Sequence, residues 1–348
     1  MGPHLVALKP KFSHTKETLM NRRHLLSHVA TAGLMAGLAS PARLLAQIVQ
    51  KTSRIVVGFP AGGTTDVLAR VCADKLRATY APTVLVDNKP GAAGRIALTN
   101  ANGNDLDGSV SFIVPCSLLT IYPHVYKKLA YDPLRDFTPV STIARGDFAL
   151  SVGPMVPESV KTLAELAAWF KANPKMAFFA SPAAGATPHF VGTMFARAAG
   201  LELTHASFKG DAPGIQDLLG GQIACSVNNI GVILPHLKGG RARVLATSGA
   251  KRSRFTPNVP TFIEAGYKDV EAQEWFGFVM PSKVPGAVVD KFASALEEVV
   301  KQKEVADKFS EFSFEPVSLK TSEFATLLKN DTARWASVVK ASGFQLDE

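Results

Sequence analysis

Two short stretches carry residue types and spacings suited to holding an anion. One is Phe59-Pro-Ala-Gly-Gly-Thr-Thr-Asp66; the other is Ser181-Pro-Ala-Ala-Gly-Ala-Thr-Pro-His189. In each, an apolar run breaks into small residues and glycine, and hydroxyl-bearing residues stand where a helix would begin. The first amides of a helix lack internal acceptors, and the peptide dipole adds partial positive charge there. Such a corner suits a carboxylate or another small anion. The same residue types also make an ordinary strand-to-helix connection. The backbone N–H groups of Gly62, Gly63 and Thr64, with the Thr65 hydroxyl, are expected to hold one carboxylate. Asp66 is expected to cap the helix, or to meet a ligand through a bridging water or a shared proton. Ala184, Gly185, Ala186 and Thr187 are expected to hold the same or an opposite carboxylate. His189 either donates a hydrogen bond or packs at the helix start. Asn228 and Asn229 close an apolar strand, the position at which open α/β sheets bind ligands. Phe59 and Trp275 either wall a cleft or belong to the core.

The elements that must position these residues read as alternating strands and helices. Ile55 to Phe59 is a β-branched apolar run, and Val67, Leu68, Val71 and Leu76 follow at near-helical spacing. Thr64, Thr65 and Asp66 are candidate caps for that helix. Met176 to Phe179 forms the second strand of this kind. Thr187 then serves as cap, Pro188 stands in the first turn, and Phe190, Val191, Met194 and Phe195 carry the helix. The two arrangements share a physical design without being a sequence repeat. Further strands are expected at Thr83–Asp87, Ser111–Val114, Thr204–Phe208, Gln222–Val227, Arg243–Thr247 and Trp275–Val279. Helices are expected at Leu163–Phe170, Ile215–Leu219, about Val288–Lys301 and about Ser322–Ala341, with a turn and short helix at Asn258–Gly266. This alternation predicts parallel sheet covered on both faces. A proline-marked connection, Tyr131–Pro139, leads to the apolar runs Val140–Ile143 and Phe148–Val152, which carry the chain into a second domain.

Composition removes several classes. The net charge of +9 would suit nucleic acid until it is located. Residues 1–47 hold Lys9, Lys11, Lys16, Arg22, Arg23 and Arg43 against Glu17, a net of +5. The remaining 32 basic and 28 acidic residues include no block dense enough to track a phosphate backbone, so nucleic acid is not a partner. Gly-Lys-Ser/Thr and Gly-x-Gly-x-x-Gly are both missing, which removes the phosphate loop and the dinucleotide fingerprint. So are Gly-x-Ser-x-Gly and His-Glu-x-x-His. Cys72, Cys116 and Cys225 are odd in number and widely spaced, form no Cys-x-x-Cys pair, and read as small buried apolar residues. A cysteine nucleophile would need Cys225 beside a histidine such as His205, which the spacing does not require. No metal, cofactor or catalytic residue is expected.

The first segment reads as an address. Asn21-Arg-Arg-His-Leu-Leu26 precedes the apolar stretch Val29–Leu38, and small residues follow at Ser40-Pro-Ala42 and Ala46. This is an export signal too short for a membrane span, twin-arginine-like or general secretory, with cleavage after Ala42 or Ala46. Residues 1–19 ahead of Met20 read as a start-site extension.

Taken together these residues resemble a known family, the Bug-type periplasmic solute receptors of tripartite tricarboxylate transporters. Besides the two turns, the resemblance rests on Val86-Asp-Asn-Lys-Pro-Gly-Ala-Ala-Gly94, Tyr126–Val140, Phe208-Lys-Gly-Asp-Ala-Pro213, Asp217-Leu-Leu-Gly-Gly-Gln222, Pro257–Gly266 and Trp275-Phe-Gly277. They occur in the family's order across the mature chain. The resemblance implies an α/β, two-lobed periplasmic-binding-protein fold (type II-like), each lobe a mainly parallel sheet flanked by helices, with the ligand cleft between lobes. Residues 1–46 would be the cleaved extension and signal, 47–147 with 246–348 one lobe, and 148–245 the other. It implies a monomeric receptor that closes on a small carboxylate, a di- or tricarboxylate or an aromatic acid, and delivers it to integral membrane transporter subunits. The loops Phe59–Asp66 and Ala183–His189 would pinch the carboxylate. Two departures stand out: Gly94-Arg95-Ile96, where relatives carry Gly-Asn-Ile, and Asn104–Gly108. Arg95 is then either a solvated surface residue or a partner for an acidic far end of the ligand, and Lys209 either the charge partner or a solvated surface residue. Two alternatives from other classes are a sensory binding protein for a membrane kinase and a secreted hydrolase.

Overall fold

The computed structural model describes residues 49, 51–77, 79–99, 101–103 and 106–347. The expected export signal and the Asn104-Asp105 part of the second departure lie outside the described residues.

Ten strands make up the sheet structure: β1 (Ser53–Val57), β2 (Val84–Asn88), β3 (Val110–Pro115), β4 (Phe137–Val152), β5 (Phe178–Ser181), β6 (Thr204–Ser207), β7 (Cys225–Asn229), β8 (Arg243–Thr247), β9 (Gln273–Pro281) and β10 (Glu315–Pro316). Their spatial order is β2-β1-β3-β9-β4-β7-β5-β6, with β8 and β10 also paired to β4. The outer strands are parallel, β2 and β3 flanking β1, and β6 and β7 flanking β5. The antiparallel pairs all involve β4 or β9, and β4 is the strand that pairs in both halves. The architecture is therefore α/β and two-lobed.

The strand β4 makes the link. Val140–Ile143 and Phe148–Val152, expected as separate runs, are parts of one 16-residue strand. From Phe137 to Asp147 it pairs with β9; from Phe148 to Val152 it lies between β7 and β8. A continuous strand forms because the polar interruption Ala144-Arg-Gly-Asp147 keeps its backbone hydrogen-bonded to β9 throughout.

Helices cover the faces. Those that bear on the site are α1 (Thr64–Leu76), α2 (Ser117–Thr120), α3 (Tyr122–Val125), α4 (Leu163–Ala172), α5 (Thr187–Ala198), α6 (Asp211–Leu219), α7 (Gly286–Val300), α8 (Lys303–Glu311) and α9 (Thr321–Ser342). The α4 helix starts in a capping box, Thr162 Oγ1 accepting from Glu165 N–H while Glu165 Oε2 accepts from Thr162 N–H. The sequence reading missed α8, which follows α7 after only Lys301 and Gln302. It also placed a short helix in Asn258–Gly266, where the chain makes successive turns.

One face of the first sheet packs Ile55, Val57 and Phe278 against Leu68, Cys72, Phe292 and Phe309 of α1, α7 and α8. On the opposite face Phe112 and Trp275, with Leu118 of α2 and Tyr122 of α3, continue through Phe324 and Trp335 of α9 into Phe148 and Phe179 of the second sheet and Phe190 of α5. The C-terminal helix thus braces both sheets, with Trp335 6.0 Å from Phe190. Burying this many aromatic and aliphatic side chains, each worth roughly 1.5–3 kcal/mol, is what holds the strand ends in place.

Candidate functional site

The first turn leaves β1 and enters α1. Its helix cap is Gly63, with extended backbone and no side-chain cap bond, so the threonines expected to cap do not. The preceding residue, Gly62, has φ +84°, a conformation costly for a residue with a side chain. Its amide donates to Asp66 Oδ2 at 2.9 Å. Arg70 grips the same carboxylate through Nε (2.8 Å) and Nη2 (2.9 Å), and Asn88 Nδ2 donates to Oδ1 at 2.8 Å. Burial raises the Asp66 carboxyl pKa, but the donors from Arg70, Gly62 and Asn88 outweigh it and hold the group below its usual range. Asp66 is buried and fully engaged inside the turn. Gly63 N–H turns back to Pro60 O at 3.4 Å. The glycine amides expected to meet a ligand are therefore taken. Those of Thr64, Thr65 and Asp66 have no acceptor among the described residues.

The second turn repeats this device with different atoms. Ala186, not Thr187, is the cap of α5, again without a side-chain bond. Gly185 has φ +76°, and its amide donates to His189 Nδ1 at 3.1 Å. That bond leaves the ring proton on Nε2. The imidazole stacks on His205 with centroids 3.9 Å apart and meets the edge of Phe344 at 4.5 Å. His205 Nε2 in turn bonds Ser181 Oγ at 2.7 Å. Burial, with the second imidazole adding to it, pulls the His189 pKa down to about 3; burial alone pulls His205 to about 4. His189 is thus a neutral acceptor that fixes the turn. Ala184, Ala186 and Thr187 keep amides without an acceptor among the described residues.

The two turns belong to different sheets and approach through a third segment. Strands β1 and β3 run parallel with Val57 opposite Ile113, so the first turn and Cys116, just past β3, leave the same sheet edge. Thr187 Oγ1, from the second turn, lies 3.3 Å from Cys116 Sγ. The Phe59 ring and Leu118 both pack on Gly94, placing Phe59 beside the α2 segment that follows Cys116. No hydrogen bond joins the two turns directly among the described residues. A surface groove of about 670 Å³ bordered by Pro139, Glu297, Leu319 and Ser322 involves neither turn.

Cys116 also reaches a residue that the sequence reading did not select. Its thiol donates to Glu274 Oε1 at 3.0 Å, and its amide bonds both Trp275 O (2.9 Å) and Glu274 Oε1 (3.2 Å). Glu274 is only 6% exposed. Burial pushes its pKa up to about 7, against the pull of the Cys116 donors, and Asp211 adds to the rise. A carboxylate at the start of the apolar strand Trp275–Val279 was the available signal. Asp211 itself accepts from Asn228 Nδ2 at 2.7 Å, and Ser226 bonds Asn228 Oδ1. Asn228 therefore anchors the start of α6, while Asn229 Oδ1 is buried without a partner among the described residues.

Other expectations resolve differently. Trp275 donates its indole N–H to Asp331 at 2.7 Å and meets Phe324 edge-on at 5.1 Å, so its ring belongs to the interior under α9. Arg95 lies over the Tyr126 ring at 3.8 Å, and its Nε donates to Ala92 O. Lys209 is exposed. Cys225 and His205 flank Phe179 on separate strands, and burial pushes the Cys225 thiol up to about 12, unsuited to a nucleophile.

Against this geometry, residues 68–344 match the family described as tripartite tricarboxylate transporter family receptor. The chain is 30% identical over 335 residues to protein BugT of Bordetella pertussis, covering 94% of this chain and 100% of that one. Among solved structures, it resembles R. palustris Rpa4515 with adipate (TM-score 0.77, 30% identity, 84% of this chain and 98% of that chain). It also resembles the periplasmic binding protein BugD (TM-score 0.74, 28% identity, 84% and 98%).

Proposed function

This chain belongs to the tripartite tricarboxylate transporter receptor family, a family of periplasmic solute-binding proteins, and from that premise we propose that it captures a small carboxylate between its two sheets. The acid is received by the amides of Thr64, Thr65 and Asp66 on one side and of Ala184, Ala186 and Thr187 on the other, with the Thr65 hydroxyl assisting. The observation that carries this reading is the pair of helix starts, one per sheet, whose leading amides lack acceptors. Unpaired donors of this kind favour an anion, the more so in a water-poor cleft. Rpa4515, 30% identical, was solved with adipate, a compound of the same class.

Capture proceeds by lobe closure about β4 and β9, and the closed form is what the transporter subunits read. A ligand that touches both sheets favours the closed state by its differential contacts. The binding protein makes and breaks no covalent bond. It acts in the periplasm after export by its N-terminal segment, then delivers the acid to a membrane transporter.

A thermal-shift screen of organic acids against the purified chain tests this. A ligand bound only by the folded state raises the melting temperature, by an amount that grows with concentration. Stabilisation by one or more mono- or dicarboxylates is expected. Sugars or cations that stabilise while every carboxylate fails would remove the reading.

A further inference from the structure

The geometry points to Glu274 as a specificity-determining residue: we propose that it accepts a hydrogen bond from the ligand, and so selects carboxylates that also carry a hydroxyl or ammonium group. This deepens the carboxylate reading and rests on it.

Glu274 lies beside the second contact region, on the strand next to β3. Its Oε1 is held by the Cys116 thiol and amide, and Cys116 in turn touches Thr187 Oγ1 at the start of α5. The carboxylate is thus two hydrogen-bond lengths from a helix start whose first amide has no acceptor. Its second oxygen, Oε2, has no donor among the described residues. The charged neighbour that bears on it is another acid, Asp211, already engaged by Asn228. Among the described residues no lysine or arginine is within bonding distance of either carboxylate.

Oε2 is not among the buried atoms that lack a partner, so solvent reaches it, and a ligand that fills the cleft strips that water from a residue only 6% exposed and must supply a donor in its place. A plain dianion arriving at Thr187 adds a third negative group to Glu274 and Asp211 in a dry place, which is worse. A ligand with a donor beside its acid group reverses the sign: its carboxylate meets the amides and its O–H or N–H meets Oε2. A site with a buried acceptor of this kind rejects analogues that lack the donor, because they leave the acceptor unpaired.

The test is calorimetric titration of the full chain with matched pairs: malate or aspartate against succinate, and lactate against propionate. The donor-bearing acid of at least one pair is expected to bind ten times more tightly or better. Glu274→Gln keeps the side-chain length and an acceptor for Cys116 but turns an amide donor toward the ligand, and should reduce that ratio below three. Equal binding within every pair overturns the inference and leaves the carboxylate reading intact. So does an unchanged ratio in Glu274→Gln. Should that variant fail to fold, the wild-type ratios decide alone. If neither kind of acid binds, the carboxylate reading is lost and this inference with it.

Discussion

Asp66 and His189 hold equivalent positions in two turns of unlike sequence: each stands four residues after a glycine of positive φ and accepts that glycine's amide. A carboxylate does this in the first sheet and a neutral imidazole in the second. In both cases the bond closes a ring that fixes the direction of the next amides. Those later amides are the ones left open, so each helix start is arranged by a residue that does not itself need to touch ligand.

Removing the first of these struts should loosen the turn and leave Arg70 with only its bond to Asn88 Oδ1. Asp66→Ala loses the bonds from Gly62, Arg70 and Asn88 and is expected to cost about 1–3 kcal/mol in urea unfolding. The folded-state pKa of Asp66 is depressed, so its stabilisation is present above the ordinary carboxylate pKa and is lost as pH falls through the folded value. The gap between wild type and variant should therefore shrink in strongly acidic buffer. A constant gap down to pH 2 would contradict this assignment.

The two glycines should differ in how they tolerate alanine. A methyl on Gly62 meets nothing within 4 Å, so Gly62→Ala pays only the left-handed backbone, about 1–2 kcal/mol. A methyl on Gly185 would lie 3.1 Å from Val125 Cγ1 and 3.6 Å from the Phe344 ring. Gly185→Ala should be the more destabilising in thermal unfolding, and the reverse order would argue against the second turn as described.

His189 and His205 make stability depend on mildly acidic pH. Their folded pKa values, about 3 and about 4, lie below the unfolded value near 6.5. For a base lowered in this way, the unfolded chain binds the extra protons, so stability is full above pH 6.5 and falls as pH drops toward 4. Melting temperatures measured from pH 7 to pH 4 should decline in wild type and flatten in the His189→Gln, His205→Gln double variant. Parallel profiles would show that other groups set the slope.

The three thiols should be silent in the native protein. Cys72, Cys116 and Cys225 are buried and unbonded to one another, and burial pushes Cys72 and Cys225 up to about 12. A colourimetric thiol reagent at pH 8 should detect none before denaturation and three after it. Rapid labelling of one thiol in native buffer would mean that its surroundings open readily.

Local periodicity made much of the fold legible. The β1–α1 and β5–α5 units, β8 and the last helix were visible because apolar spacing and turn residues agree there. The site was half legible. Glycine and threonine marked the two corners, but which amides stay open depends on Asp66 and His189 folding back, an (i, i+4) choice between capping and bonding to solvent that residue type alone leaves open. Glu274 escaped because its meaning comes from Cys116 and Thr187, 158 and 87 positions away, brought beside it only by the sheet order. For Trp275 sequence left cleft wall and core both open, and the strand decides: its neighbour Glu274 reaches Cys116, while its own ring takes the opposite side, under α9.

The unbroken run of β4 has a consequence for any attempt to dissect the molecule. A chain cut between Asp147 and Phe148 would leave β9 in one fragment and its partners, β3 and the first part of β4, in the other, exposing ladders of unmet peptide groups on both. Fragments made this way would stick to one another rather than stand alone as modules, so the two sheets are inseparable as folding units.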